Sequence, residues 1–437
     1  MGITVAKFGG TSMGNAQAIQ SVANIVANTE GQKVAVVSAT SGTTDVLIEL
    51  GSQAVENGSW AQPLKTLIER HEQIVSELGL SLDLNEYWEE MKNLLQGISL
   101  IKELSLSALD RLQSFGERVS SNILAALLEK NGVRSRSVDA YSIIYADNNF
   151  GEGNVDIERT NEAIQTTIQG LLDDGITPVI TGFIGQAENR QYITLGRGGS
   201  DYTAAIVAAA LSASELQIWT DVDGIFNADP RLIQDAQALD RLSFEEASEL
   251  AFFGAKVLHP KTINPAVAAN IPVKILNTFN VDAPGTLIVN DENESIKSVT
   301  YKKDITIINV CSTGMLAAHG FLARIFEVFA RNNISVDVVS TSEVSVSLTV
   351  ENGVADNVIE ELSEFARVNV QKNMAIVCLV GNGIRSTAGV LGNLFSGLNE
   401  FNISMVSQGA SQRNITFLVD ENDAQNVVQN IFRRFFN

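Results

Sequence analysis

The sequence of 437 residues is short of positive charge: 30 Lys and Arg stand against 51 Asp and Glu, a formal net charge of −21. A nucleic-acid binder needs a surplus of cations to neutralise phosphates, so nucleic acid is excluded as a partner, and anionic membrane surfaces with it. Cysteine is scarcer still. Cys311 and Cys378 lie far apart, each in an apolar run, which excludes a disulfide framework and a thiolate metal site and predicts two buried, reduced thiols. No apolar run approaches the ~18 residues of a membrane span. The opening MGITVAKFGGTS lacks a basic segment followed by a long apolar stretch, so a soluble cytoplasmic protein is expected. No Ser-His-Asp, Cys-His or metal-ligand constellation stands out either.

At ~100–200 residues per domain the length allows two to four domains. The acid is unevenly spread: residues 1–295 carry 19 basic and 38 acidic side chains, residues 296–437 carry 11 and 13. The polar, turn-rich VNDENES at 289–295 reads as a linker. Before it, short β-rich apolar runs alternate with helical patterns, the signature of an α/β fold with a largely parallel sheet. Strands are predicted at 3–8, 33–39, 177–183, 191–196, 216–221 and 272–277, and helices at 15–28, 64–78, 108–131, 157–174, 201–212, 243–252 and 262–269. In the first helix Ala16, Ile19, Val22, Ala23 and Val26 share one face. The more polar helical stretch 55–110 reads as an excursion covering one end of the sheet.

Beyond the linker the sequence repeats at an offset of 69 residues. Residues 320–350 align with 389–419 without a gap: Gly320 matches Gly389, Phe326 matches Phe395, and Asn333-Ile334-Ser335 matches Asn402-Ile403-Ser404. Each copy reads strand, helix, strand, strand, helix, as in a ferredoxin-like βαββαβ unit. Residues 304–370 and 371–437 are the expected pair of domains after a first domain at 1–290. The strand at 297–303 is open to either copy, since the first unit can be inserted into the second.

Two glycine loops carry chemistry. Lys7-Phe8-Gly9-Gly10-Thr11-Ser12 joins the first strand to the first helix, where glycines and free helix amides suit a phosphate and Lys7 adds a cation. Its lysine precedes the glycines, so it is neither a Walker A loop nor a dinucleotide fingerprint. Gly196-Arg197-Gly198-Gly199-Ser200-Asp201 again links strand to helix. Asp201 there reads as a helix cap or a functional acid, and Arg197 as a bidentate receptor for a small carboxylate. Ser38 to Thr44 supplies hydroxyls after the second strand, Glu117 lies in a helical pattern, and TDVDGIFNADPR (220–231) and FFGAKVLHP (252–260) follow in order.

This ordered set resembles the aspartate kinases of the amino-acid kinase family, over essentially the whole length, with two ACT domains at the end. The resemblance implies a carbamate kinase-like three-layer α/β sandwich, followed by the two ACT domains, which phosphorylates the β-carboxylate of L-aspartate from Mg-ATP. It implies catalytic roles for Lys7, on the γ-phosphoryl group, and Asp201, organising that lysine. Ser38, Thr44, Glu117, Phe183, Arg197 and Ser200 would bind aspartate, with Arg197 on its α-carboxylate and Glu117 on its ammonium. Gly9, Gly10, Ser12, Thr220, Asp221, Phe226, Arg231, Lys256 and Val257 would bind the nucleotide. Phe226 replaces the family's usual tyrosine, and Met13 its usual valine. Magnesium would be held mainly by phosphates and water, with no protein metal site.

The repeat implies a homodimer through the ACT region and feedback by an amino acid. NISVDVVSTSEVSVSL resembles the lysine-sensitive class, which makes L-lysine the expected inhibitor. Met315, Phe321, Leu322, Ser335, Val336, Asp337, Thr341, Ser342 and Glu343 match that effector pocket, whereas Ala317 and Ala318 depart from it. In the second copy, Val406 and Gln412 replace Asp337 and Glu343. The competing readings are a kinase acting on glutamate or N-acetylglutamate, and an amino-acid-binding regulatory protein without activity.

Overall fold

The computed structural model describes residues 2–56, 58–254, 260–290, 293–312 and 319–436. Two compact units emerge. One comprises Met1–Ile225, Asp240–Phe244 and Val257–Asn290; the other comprises Phe226–Leu239, Glu245–Lys256 and Asp291–Asn437. Two stretches that precede residue 290 therefore go with the second unit.

The chain begins with β1 (Ile3–Phe8), α1 (Ala16–Asn28), β2 (Gln32–Val37), α2 (Thr43–Glu56), α3 (Ala61–Glu77), α4 (Asn85–Ile101) and α5 (Leu106–Lys130). Then come β3 (Ser135–Val138), β4 (Tyr145–Ala146), α6 (Ile157–Asp173), β5 (Thr177–Thr181), β6 (Ile184–Ala187), β7 (Tyr192–Thr194), α7 (Gly199–Ala210) and β8 (Glu215–Thr220). After them follow β9 (Arg241–Ser243), α8 (Phe244–Phe252), α9 (Asn264–Ala268), β10 (Val273–Asn277) and β11 (Thr286–Val289), with α8 beyond its first residue in the second unit.

Eight strands form one sheet in the order β3-β5-β2-β1-β8-β10-β11-β9, parallel except for the β10–β11 pair. Residues alternate across a strand, so Ala6, Phe8, Ala35 and Val37 join the core built by α1 to α5. The opposite face is covered by α6 and α7. Helices on both faces explain why Val34 to Val37 are buried without a break. The predicted face of α1 is buried as a whole. The stretch 55–110 differs from expectation: α3 and α4 pack on α1, α2 and α5. The reason is their apolar faces, since Leu64, Leu67, Ile74, Met91, Leu95 and Ile98 enter the same core as α5.

The second unit is built from β12 (Ile296–Cys311), α10 (Phe321–Arg331), β13 (Val339–Thr341), β14 (Ser345–Glu351), α11 (Asp356–Ser363) and β15 (Arg367–Gly381), then α12 (Val390–Ser396), β16 (Met405–Gln408), β17 (Asn414–Asp420) and α13 (Ala424–Phe435). Its six strands run antiparallel in the order β13-β14-β12-β15-β17-β16. The long strands β12 and β15 pass through both repeats. Residues 305–311 pair with β14, whereas residues 296–302 pair with residues 376–381 of β15, beside β17. The first repeat is thus inserted into the second, which takes the strand at 296–302. Each repeat keeps its own core, one around Ile308, Ile325, Phe329 and Leu348, the other around Val299, Leu394, Phe417 and Val428. The matched Gly320 and Gly389 both start a helix at φ 84°, a backbone state that other residues adopt only with strain. One expectation fails: Cys378 is buried but Cys311 is exposed, because it is the last residue of β12.

Candidate active site

A cleft of about 950 Å³ opens in the first unit, where β1, β2 and β8 end. Open α/β sheets place ligands at the carboxyl ends of their strands. Of the sequence-predicted residues, Lys7, Gly9, Gly10, Ser38, Thr44, Glu117, Phe183, Arg197, Ser200, Asp201, Thr220 and Asp221 all line it.

Lys7 sits near the end of the central strand β1, its backbone aligned with Val36 and Ile218 on either side. Its Nζ lies 2.7 Å from Asp201 Oδ1, and both side chains are only 12–13% exposed. Asp201 stands in the first turn of α7, where a negative charge also meets the helix's free amides favourably. A Cβ on Gly9 would stand 3.6 Å from Lys7 Nζ, which places this glycine directly beside the cation.

Glu117 is a buried acid of the site, 3% exposed. It reaches the cleft because α5 approaches the loop after β2 closely: a Cβ on Gly116 would stand 2.6 Å from that of Ala39. Glu117 Oε1 accepts a hydrogen bond from the Ala39 amide at 3.0 Å, while Oε2 has no hydrogen-bond partner among the described residues. Burial pushes the carboxyl up to about 8, against the pull of the Ala39 amide, its own amide and Lys7.

Arg197 is exposed in its loop. Ser38 donates to Ser200 at 3.0 Å, tying the loop after β2 to α7. Phe183 holds a left-handed backbone at φ 70°, secured by its carbonyl accepting from Leu195 and its amide donating to Thr203 Oγ1. Such conformations cost of order 1–3 kcal/mol and cluster at functional sites.

Other expected residues are not among those that line the cleft. The Ser12 hydroxyl does not line the cleft; it is fully buried, 2.7 Å from Thr278 Oγ1, and neighbouring Thr11 faces the cleft instead. The first turn after the glycines points the Ser12 side chain into the protein, which leaves its backbone amide as the group it can offer a phosphate. Phe226 and Arg231 belong to the second unit. There Arg231 is 90% exposed and donates from Nε and Nη2 to the two carboxylate oxygens of Asp229. Lys256, Val257 and His259 lie outside the described residues, as do Met315, Ala317 and Ala318.

In the second unit Asp337 leads into β13, its amide donating to Thr349. Its Oδ2 is buried without a hydrogen-bond partner among the described residues, and burial pushes the carboxyl up against the pull of Lys302. Phe321 packs edge-on against Phe365, Val336 is half-buried, and Leu322, Ser335, Thr341, Ser342 and Glu343 are exposed.

Sequence reasoning missed two buried polar groups beside the cleft. His71, pressed down to about 4 by burial, is neutral. Its Nδ1 donates to the Leu67 carbonyl, so Nε2 accepts from Thr40 in the loop after β2. Asp110, 1% exposed, lines the cleft from α5. The signal for it was present: Asp110 precedes Glu117 by seven residues, two turns along one helix face.

Comparison with known proteins agrees with this architecture. The profile of the amino acid kinase family matches residues 2–277, and that of the ACT domain matches residues 308–364 and 377–435. Aspartokinase 1, chloroplastic, of Arabidopsis thaliana is 40% identical, over 100% of this chain and 80% of its own. Lysine-sensitive aspartokinase 3 of Escherichia coli (strain K12) is 36% identical over 99% of both. The crystal structure of E. coli aspartokinase III in complex with aspartate and ADP superposes with a TM-score of 0.87, at 35% identity and full coverage of both chains. With these matches over its whole length, the chain belongs to the amino acid kinase family, among its aspartokinases that carry ACT domains.

Proposed function

We propose that the protein transfers the γ-phosphoryl group of ATP to the β-carboxylate of L-aspartate, giving 4-phospho-L-aspartate and ADP, the entry to the aspartate-derived amino acids. The observation that carries this reading is one cleft holding the Lys7–Asp201 pair, the open Oε2 of Glu117 and the guanidinium of Arg197. A carboxylate is already a nucleophile at neutral pH, so no general base is needed; position and charge carry the reaction. Arg197 takes the α-carboxylate and Glu117 the ammonium, which aims the β-carboxylate at the phosphate. Lys7, oriented by Asp201, balances the charge spreading over the transferred group. The amides of Gly9 and Gly10 and the side chains of Thr220 and Asp221 serve the nucleotide. Magnesium bound with the nucleotide would be held mainly by phosphate oxygens and water, and the exposed carboxylate of Asp221 is a hard oxygen donor that would suit it.

The reading is tested by trapping the acyl phosphate with hydroxylamine, using aspartate, glutamate and N-acetylglutamate in turn. ATP-dependent hydroxamate is expected with aspartate. Product from glutamate alone would make the protein a different amino-acid kinase, and none from any acceptor would leave a regulatory protein.

L-lysine is the proposed inhibitor, bound at the first repeat through Asp337 and Glu343, and the E. coli lysine-sensitive relative supports this choice. Asp337→Ala should raise the lysine concentration needed for half-inhibition by about tenfold or more, the cost of removing a charge-assisted contact. Unchanged lysine sensitivity would move the effector elsewhere. A homodimer through the second unit is part of the same proposal. Val339 on β13, Val406 on β16 and Leu322 and Phe326 on α10 are exposed, so apolar side chains of the second unit lie open to a second copy.

A further inference from the structure

We infer that Asp110 is a positioning residue, which fixes the Arg197 loop for the acceptor's α-carboxylate; the inference rests on the aspartate kinase reading above. Asp110 is buried, and both of its carboxylate oxygens accept hydrogen bonds. Oδ2 accepts from the amides of Gly151 and Thr194, and Oδ1 accepts from the Thr194 hydroxyl, all at 2.9 Å. Thr194 is the last residue of β7, three positions before Arg197. The turn containing Gly151 is the surface on which the loop rests, since a Cβ on Gly196 would stand 3.2 Å from Glu152 and 3.4 Å from the Gly151 carbonyl. Asp110 therefore holds the strand end and the turn beneath Gly196 together.

The same helix carries the opposite anchor. Glu117 is seven residues on, about 10 Å along the axis at ~1.5 Å per residue. α5 is thus a ruler between the ammonium site at Glu117 and the loop of Arg197. Neither Gly151 nor Thr194 touches a predicted nucleotide residue through Asp110, so its removal should be felt by aspartate and not by ATP. A displacement of about 1 Å at a positioning group costs up to a hundredfold.

The test compares Asp110→Ala and Asp110→Asn with the wild type by the KM for aspartate, the KM for ATP and kcat. Asp110→Ala removes all three acceptor contacts and should raise the KM for aspartate about tenfold or more, with the KM for ATP within about twofold. Asp110→Asn keeps an oxygen for both amides and turns its NH₂ to the Thr194 hydroxyl oxygen, so it should restore most of the affinity. Equal loss in both variants would mean that the charge itself acts on the substrate and would overturn the positioning role. So would equal shifts in both KM values, the mark of a general structural defect. Should Asp110→Ala fail to fold, Thr194→Val removes the hydroxyl contact alone, and a KM for aspartate raised about threefold at constant KM for ATP is expected; no change would sink the inference. A wild-type protein with no aspartate-dependent hydroxamate would overturn the function first, which separates the two failures.

Discussion

Lys7→Ala should lower kcat by about a thousandfold while the protein still folds cooperatively. The lysine is placed for electrostatics and contributes little to the core. Its strand is held by backbone pairing to both neighbours, and the core on the α1–α5 side is filled by Ala6 and Phe8. Its ammonium is nearly withdrawn from water and already fixed by Asp201, so it needs no reorganisation when charge moves onto the leaving and attacking oxygens. The nucleotide's ground state gains less from it than the transition state does, so the KM for ATP should change far less than kcat. Asp201→Asn should share part of the loss, because Lys7 is then present without its orienting partner. Hydroxamate formation gives kcat, and a cooperative thermal transition by circular dichroism shows that the variant is folded. A Lys7→Ala enzyme within tenfold of the wild-type kcat would remove Lys7 from the reaction.

Why Lys7 was legible from sequence and Ser12 was not is a matter of range. The alternation of a strand followed by two glycines puts Lys7 at a strand end whatever surrounds it. The orientation of the Ser12 hydroxyl depends on Thr278, 266 residues away, and no local pattern records that contact. The six predicted strands are present with ends shifted by up to two residues, because apolar runs such as 33–39 report burial on both faces. The polar Ser135–Val138 and the two-residue Tyr145–Ala146 carry no such run and went unseen. The insertion of one repeat in the other was open for a related reason. Residues 296–302 are β-rich, but which partner they pair with is set by the continuous strand β15, not by their own composition. Asp110 was legible only through its seven-residue spacing to Glu117, since a single acid on a helix otherwise reads as surface until its three donors are seen.

The KM for aspartate should fall as pH rises from 6 toward 8, and Glu117 sets both the slope and its limit. The carboxyl lies in a nearly dry place, with one amide on Oε1 and no partner on Oε2 among the described residues, and desolvation pushes it up to about 8. Below that pH the resting group is mostly neutral. An ammonium binds the ionised form, so aspartate binding below pH 8 must drive off a proton. Each unit below 8 then weakens binding by up to about tenfold, which bounds the change between pH 6 and pH 8 at roughly a hundredfold. Above 8 the carboxylate is already charged and the dependence levels off. An ordinary exposed glutamate is ionised throughout this range and would give no slope. Calorimetry in buffers of different ionisation enthalpy should count close to one proton released per aspartate bound at pH 7. Glu117→Gln should raise the KM at pH 8 by about a hundredfold, through loss of a buried charge-assisted contact, and flatten its pH dependence. A wild-type KM that does not change from pH 6 to 8, or a Gln variant with the same slope, would take the ammonium away from Glu117. In that case the buried acid would serve only to hold Ala39, and the substrate's orientation in the cleft would have to be reversed or rebuilt around Arg197 alone.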